Sequence, residues 1–169
     1  MNEFYRILNE LDKKVYEPTG LTIHSVKEEK QNAKYGAGIF QLSSRTVRFR
    51  VANQTPKKEG QFVAFWEKDR NNKNSPYSYE EAPDFCVITT FKNKNEFGQF
   101  VFPKEVLLQQ NILKSASTKG KMAIRVYPIW DNPLSKQAKE TQKWQLPYFV
   151  ELSQVNQLTL EKVTDLYFA

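Results

Sequence analysis

The strongest constraint on the fold of this chain is a strict alternation of apolar and polar side chains over residues 46–51, TVRFRV. Apolar side chains take one set of alternate positions, and Thr46, Arg48 and Arg50 take the other. Because successive side chains of a strand point to opposite faces, this period predicts a half-buried β-strand. We expect one face to pack on the core and the other, with both arginines, to form a cationic surface.

A second strand is predicted at residues 61–68, where the apolar side chains FVAFW follow one another without a break. Such a run is typical of a strand that is covered on both faces, so we expect it to be central in the sheet. The connector between the two strands, NQTPKKEG, contains Pro and Gly, which favour turns. It adds Lys57 and Lys58 to the arginines of the first strand.

The rest of the chain predicts four more strands and several helices. The further strands are expected at 35–42, 85–91, 97–102 and 122–127. Helices are expected at 2–11, after a capping box at Ser25–Glu28, from Pro103, from Asp131 or Asn132 through Lys143 and past Pro147 with a kink, and near 160–166. Together these elements predict an α/β fold in a single domain, residues 1–169. Its sheet should be mixed, mostly antiparallel and of about six strands, flanked by helices. Gly36 and Gly38, on one face of the strand at 35–42, indicate a bulge or a close approach of another backbone.

The distribution of charge indicates an acidic partner. The 169 residues carry a formal net charge of +6. Residues 45–73 hold eight Lys or Arg against three Asp or Glu, and residues 104–143 hold the same numbers, whereas residues 151–169 hold one against three. Two basic regions in one chain favour binding to nucleic acid or to anionic lipid.

Residue counts argue against most kinds of catalytic site. The chain has one histidine, His24, and one cysteine, Cys86, with no ligand spacing around either. Cys86 lies in an apolar run and is expected to be a small core residue. We therefore expect no catalytic residues, no metal and no cofactor. The sequence has neither a secretory signal pattern nor an apolar run long enough to span a bilayer, so we expect a cytoplasmic protein.

One enzyme hypothesis follows from a resemblance to the restriction-endonuclease core. A helix followed by a three-strand meander, with Glu28 and Glu29 on the helix and Glu67 on the third strand, resembles the element order of that core. Metal-dependent cleavage needs carboxylates that converge on Mg²⁺, but the second strand offers Arg48 and Arg50. Arginines at these positions would repel the metal ion and attract a phosphate. The sequence therefore favours a binding protein over a divergent nuclease, and an inactive, binding-only relative of the restriction-endonuclease-like core stays open as its fold.

A set of short segments resembles the MepB family of bacterial proteins. These segments are VRFR at 47–50, TPK at 55–57, GQFV at 60–63, WEK at 66–68, GQFVFPK at 98–104, RVYP at 125–128, WD at 130–131, SKQ at 135–137 and QKWQ at 142–145. The resemblance implies a bacterial cytosolic protein whose family is associated with a multidrug efflux operon. It brings no accepted reaction.

The residues thus favour a non-enzymatic basic domain that binds nucleic acid through phosphate contacts. The expected binding residues are Arg48, Arg50, Lys57, Lys58, Lys68, Lys119, Lys121, Arg125, Trp130 and Lys136. The alternatives are a regulatory protein that binds another protein or a small anion and, third, a divergent nuclease.

Several of these residues also have purely structural interpretations. Arg48 and Arg50 could pair with Glu67 or Asp84 across the sheet. Lysines 136, 139 and 143 could form an ordinary solvated helix face, and Trp66 is more simply a core residue.

Overall fold

The protein was analysed as a computed structural model, which describes residues 3–168. Its strands are β1 (Ile23–Glu28), β2 (Gly38–Leu42), β3 (Arg45–Val51), β4 (Asn53–Gln54), β5 (Gln61–Ala64), β6 (Glu67–Lys68), β7 (Asn74–Ser75), β8 (Phe85–Phe91), β9 (Phe97–Pro103), β10 (Ala123–Val126) and β11 (Phe149–Glu151). Its α-helices are α1 (Glu3–Leu11), α2 (Lys104–Gln109), α3 (Lys136–Gln145) and α4 (Gln157–Phe168). The predicted first residue of α1, Asn2, lies outside the described residues.

The main sheet has six strands in the order β1-β2-β3-β8-β9-β11. Neighbouring strands are antiparallel except β3 and β8, which pair in parallel with Val47 opposite Phe85 and Val51 opposite Thr89. Parallel neighbours need a crossover, which is usually a helix. Here residues 52–84 make the crossover and contain a second, smaller sheet. The predicted mixed, mostly antiparallel sheet of six strands with flanking helices is confirmed.

Hydrophobic clusters cover both faces of this sheet, as the alternation along β8 shows. Phe85 and Val87 belong to the first cluster, which also contains the buried side chains of α1 and α4. Cys86 and Ile88 point the other way and belong to the second cluster, with side chains from the smaller sheet and from α2. Because β8 is covered on both sides, its residues from Phe85 to Thr90 are all buried.

The expectation that residues 61–68 form the central strand of the main sheet is wrong. This segment contains β5, which is the middle strand of the smaller sheet, β10-β5-β4. Along β5, buried and half-buried residues alternate, so one face packs on the second cluster and the other is more open. The run of apolar residues is divided between β5 and the chain that follows it, and β8 takes the central position instead. The predicted strand at 122–127 also joins this smaller sheet, as β10.

The predicted helix after Ser25 is replaced by a strand. Residues 23–28 pair with β2, with Ile23 opposite Leu42 and Glu28 opposite Gly38. Ser25 has a positive φ of 57° where the register shifts, so its backbone is incompatible with a helix start. Pairing along the edge of the sheet satisfies more backbone groups than a capping box would, and it therefore decides the structure.

The glycines at 36 and 38 mark a close approach, although it is made by side chains and not by another backbone. A Cβ built on Gly38 would lie 2.2 Å from the ring of Phe4, which packs from α1 onto β2. Gly36 follows a 3₁₀ turn at Ala33–Tyr35 and has φ +54°, so the strand begins only at Gly38 rather than at Tyr35.

The long helix near the C-terminus begins later than predicted and does not continue past Pro147. Residues after Asp131 form a loop, and α3 starts at Lys136, capped by Ser135 Oγ, which accepts from the Ala138 amide at 3.1 Å. A 3₁₀ turn at Leu146–Tyr148 ends it, and β11 follows at the edge of the main sheet. No helix in residues 3–168 is both long and apolar enough to cross a membrane.

Candidate functional site

The arginines of β3 do not form an exposed surface, which corrects the expectation from the alternating pattern. The side chain of Arg50 is 0% exposed and that of Arg48 is 13% exposed. Both donate to Oε1 of Glu29, from Arg50 Nη1 at 2.8 Å and from Arg48 Nε at 3.3 Å. The face of β3 that carries them is covered by the crossover, including Phe65 and Tyr77. The polar face of this strand is therefore an interior face.

Further contacts satisfy the two guanidinium groups in this interior. Arg50 Nη2 donates to the hydroxyl of Tyr77 at 2.8 Å and to Oδ1 of Asn32 at 3.4 Å. Arg50 Nη1 also donates to the carbonyl of Phe49 at 2.9 Å, and the guanidinium of Arg48 lies 3.7 Å from the centroid of the Tyr77 ring. Such contacts offset the desolvation of two buried cations that share one carboxylate. We call Glu29, Arg48, Arg50, Asn32 and Tyr77 the ionic cluster.

The carboxylates that were considered as partners of these arginines have other surroundings. Asp84 Oδ2 accepts from the amide of Thr46 at 2.9 Å and from its hydroxyl at 3.1 Å, which joins the start of β3 to the start of β8. Glu67 forms no ion pair within 4.0 Å in the described chain. Partial burial raises the pKa of Glu67, while the charge of Arg48 acts in the opposite direction.

Three cations from distant parts of the chain meet at a different place, a groove between β10 and α3. The groove has a volume of about 430 Å³. Lys121 and Arg125 line it from β10 and the segment before it, and Lys58 lines it from the loop before β5. Gln137 and Trp144 line it from α3. Among the described residues, this lining includes three cations and no carboxylate.

Arg125 positions the loop that carries Lys57 and Lys58. Its Nη1 donates to Oγ1 of Thr55 at 2.9 Å and to the carbonyl of Glu59 at 3.0 Å, so the loop is fixed against β10. Arg125 is half-buried, whereas both lysines of the loop are exposed. Arg125 therefore shapes the groove, and the exposed side chain of Lys58 is available to contact a ligand.

The far wall of the groove depends on α3 and the loop before it. The amide of Leu134 donates to Oε1 of Glu59 at 3.2 Å, which connects this loop to the lysine loop. Gln145, on the buried face of α3, holds the helix against β10: its Nε2 donates to the carbonyl of Arg125 at 3.0 Å, and its Oε1 accepts from the amide of Tyr127 at 2.9 Å. Burial raises the pKa of the Tyr127 phenol, so that side chain is neutral at pH 7.

The remaining expected residues divide between the border of the groove and other parts of the molecule. Lys57, Lys119 and Lys136 are exposed and lie within two positions in sequence of residues that line the groove. Lys68 lies elsewhere, with its Nζ 5.4 Å from the centroid of the half-buried Trp66 ring. Trp130 is half-buried and contacts Phe149 edge to face at 5.7 Å, so it belongs to the border of the second cluster.

Comparison with known proteins places the chain in a family. The family model described as MepB-like matches residues 29–151, which is more than half of the chain. The chain belongs to the MepB-like family. The crystal structure of MepB is 39% identical, with a TM-score of 0.77, over 92% of this chain and 100% of that one. A bacterial homing endonuclease aligns over 97% of this chain and 91% of its own at 16% identity, but its TM-score of 0.41 is too low to carry an argument. Comparison with curated proteins gives no match.

The family match covers the ionic cluster and the whole of the groove lining. Sequence reasoning missed Glu29 and Tyr77 as partners of the β3 arginines, because no local pattern joins positions so far apart in the chain. The groove had a usable signal: Lys121, Ala123, Arg125 and Tyr127 occupy alternate positions and therefore share one face of a strand.

The single histidine and cysteine lie apart from both sites. The ring of His24 is exposed, with its Nε2 3.2 Å from the carbonyl of Ser43. Cys86 is a buried core residue, as predicted, and desolvation raises its thiol pKa to about 12. In residues 3–168, no three His, Cys, Asp or Glu side chains are grouped so that they could hold a metal ion.

Proposed function

We propose that this protein binds nucleic acid through phosphate contacts in the groove between β10 and α3, without catalysing a reaction. The observation that carries the proposal is the lining of this groove, in which Lys58, Lys121 and Arg125 converge with no carboxylate among the described residues. Cations that neutralise phosphates release counterions, which is the main source of sequence-independent affinity for nucleic acid. The exposed Lys57, Lys119 and Lys136 extend the basic surface around it.

A second groove of the same volume supports this assignment by contrast. It also measures about 430 Å³ and lies between the start of β8 and α4. Its lining mixes two cations with three carboxylates, namely Arg45, Lys162, Asp84, Glu105 and Asp165. Basic residues therefore do not collect in every depression of this chain, and the excess in the first groove suits an anion.

The ionic cluster favours a binding role over a nuclease. Metal-dependent cleavage needs carboxylates directed at the ion, yet Glu29 is already bonded to two arginines. The helix that precedes the three-strand meander is α1, and the meander consists of β1, β2 and β3. Neither β2 nor β3 contains Asp or Glu. We place this function in the cytoplasm, where nucleic acids occur and Cys86 stays reduced.

The test is salt-dependent binding of labelled DNA and RNA oligonucleotides, measured by fluorescence anisotropy between 50 and 200 mM salt. Lys58→Gln with Lys121→Gln should weaken binding and lower the salt slope by about two, since the slope falls by about one for each phosphate contact removed. The matched control is Lys139→Gln with Lys143→Gln, which removes the same charge from exposed positions of α3 that do not line the groove.

Two results would contradict the proposed function. Failure of the wild-type protein to bind either DNA or RNA in this salt range would contradict the proposed function directly. Equal losses in the two double variants would show that total charge, and not the groove, governs binding. Tight binding of a small anion or a protein with no nucleic-acid affinity would favour the alternative regulatory role.

A further inference from the structure

The strand β10 has an open edge on the side away from β5. The amide of Phe65 donates to the carbonyl of Met122 at 2.9 Å, and the register continues with Ile124 opposite Val63. In an antiparallel pair, backbone groups point alternately toward and away from the partner strand. The N–H and C=O groups of Ala123 and Arg125 therefore point away from β5.

Gln145 closes only part of this edge. Its buried amide takes the carbonyl of Arg125 and the N–H of Tyr127, in the way that a neighbouring strand would. The N–H and C=O of Ala123 and the N–H of Arg125 have no hydrogen-bond partner in residues 3–168. Ala123 and Arg125 both line the basic groove, so a donor and acceptor pair of the backbone lies beside its cations.

The size of the open edge selects the kind of ligand. A β-strand that pairs with a sheet edge usually contains about five or six residues. The open edge offers only the N–H and C=O of Ala123 and the N–H of Arg125, so it is too short to bind such a strand. The edge of a nucleobase needs only two or three hydrogen bonds, and it presents donors and acceptors side by side. Trp144 is half-buried with one side against Phe102, and it also lines the groove, so its remaining aromatic surface can meet a base.

We infer that the groove holds one unpaired nucleotide, and this inference rests on the proposed function. The base edge bonds to the open backbone groups of Ala123 and Arg125, and the phosphates contact Lys58 and Lys121. A volume of about 430 Å³ falls within the range of pockets that take a single small ligand. In a duplex the bases are paired and stacked inside, so the protein selects single-stranded over double-stranded nucleic acid.

The first experiment compares three DNAs of equal length at one salt concentration, by anisotropy. These are an oligothymidine strand, the same strand annealed to its complement, and an abasic strand with the same phosphates. The oligothymidine strand should bind at least about tenfold more tightly than the other two, since only this strand offers an unpaired base that can stack. Equal affinity for all three would overturn the nucleotide site and leave the proposed function standing, whereas no binding to any of them would overturn both.

The second experiment addresses the backbone groups themselves. Ala123→Pro removes one N–H that points away from β5, so the ladder stays intact, and Ala123→Ser is the matched control that keeps this N–H. The Pro variant should bind the oligothymidine strand no better than the abasic one, and the Ser variant should keep the preference. Proline that leaves the preference intact, with an unchanged Tm, would overturn the inference.

Amide chemical shifts of the wild-type protein supply evidence that does not depend on a variant. The N–H signals of Ala123 and Arg125 should move on addition of oligothymidine and stay in place with the abasic strand. Movement of these signals by thymidine monophosphate at the same affinity would identify a free nucleotide as the ligand, and it would overturn both the proposed function and the inference that rests on it. Absence of any movement at these two amides with every ligand would contradict the inference.

Discussion

Replacing Glu29 by Gln should be among the most damaging single substitutions in this chain. The change keeps the size of the side chain but removes the carboxylate that bonds to Arg50, whose side chain is 0% exposed. Breaking a buried ion pair costs about 3–5 kcal/mol, because a charge is left without compensation. Arg50 keeps its bonds to Tyr77 and to the carbonyl of Phe49, so we expect the lower end of that range, about 3 kcal/mol.

For a chain of this length, such a loss corresponds to a fall in Tm of roughly 6–12 °C. Urea unfolding at pH 7, followed by tryptophan fluorescence, should show a lower midpoint at an unchanged m-value. The matched control is Glu3→Gln, which breaks an exposed pair with Arg6 and should hardly change the midpoint. The difference between the two variants should persist in 0.5 M salt, because buried charges are poorly screened.

The reasoning about the ionic cluster would be refuted by a Glu29→Gln protein as stable as the wild type. The double variant Arg48→Ala with Arg50→Ala supplies a second check, since it leaves Glu29 buried without a cation. It should also lower Tm, and it should leave the salt slope of nucleic-acid binding unchanged in the fraction that remains folded. A stable double variant with weakened binding would restore the arginines to the binding surface.

Two further predictions concern single side chains. The thiol of Cys86, buried and with its pKa raised to about 12, should not react with a disulfide reagent at pH 8 in the native protein and should react once in urea; rapid native reaction would contradict its burial. The pKa of Glu67 is raised on folding, so its ionisation destabilises the fold as the pH rises above the unfolded value of 4.5. Glu67→Gln should therefore raise Tm slightly at pH 7 and have less effect below pH 4, and a lower Tm at pH 7 would indicate that the carboxylate is stabilising.

Where local pattern alone fixes an element, the sequence predicted it well. The hairpin strands at 85–91 and 97–102 correspond to β8 (Phe85–Phe91) and β9 (Phe97–Pro103). Each is an apolar run bounded by polar turn residues, and the two strands pair with each other across a short turn. Such elements need little information from distant parts of the chain.

The position of a strand within a sheet was harder to predict. Residues 61–66 and 85–90 are both apolar runs, and each was compatible with a central place. Only β8 takes that place in the main sheet, because the crossover that contains β5 folds over one face of the sheet. The choice depends on which strands meet after the chain has crossed, and the apolar content of a run does not record it.

The candidate site divides in the same way. Lys58, Lys121 and Arg125 were recognised as cations from the sequence, but the groove that brings them together depends on α3 packing against the edge of β10 through Gln145. The alternation of Arg48 and Arg50 with apolar residues was equally clear, yet both arginines bond to Glu29 within the fold.

The sequence by itself determined the periods of the strands, the apolar set that forms the core and the excess of cations. Those properties follow from side-chain chemistry and from the geometry of a few consecutive residues. The tertiary structure alone decided which polar faces meet water and which meet another polar face. A strand such as β3 shows the same period in both cases, because alternation records only that two faces differ, and the partner of each face comes from residues far away in the chain.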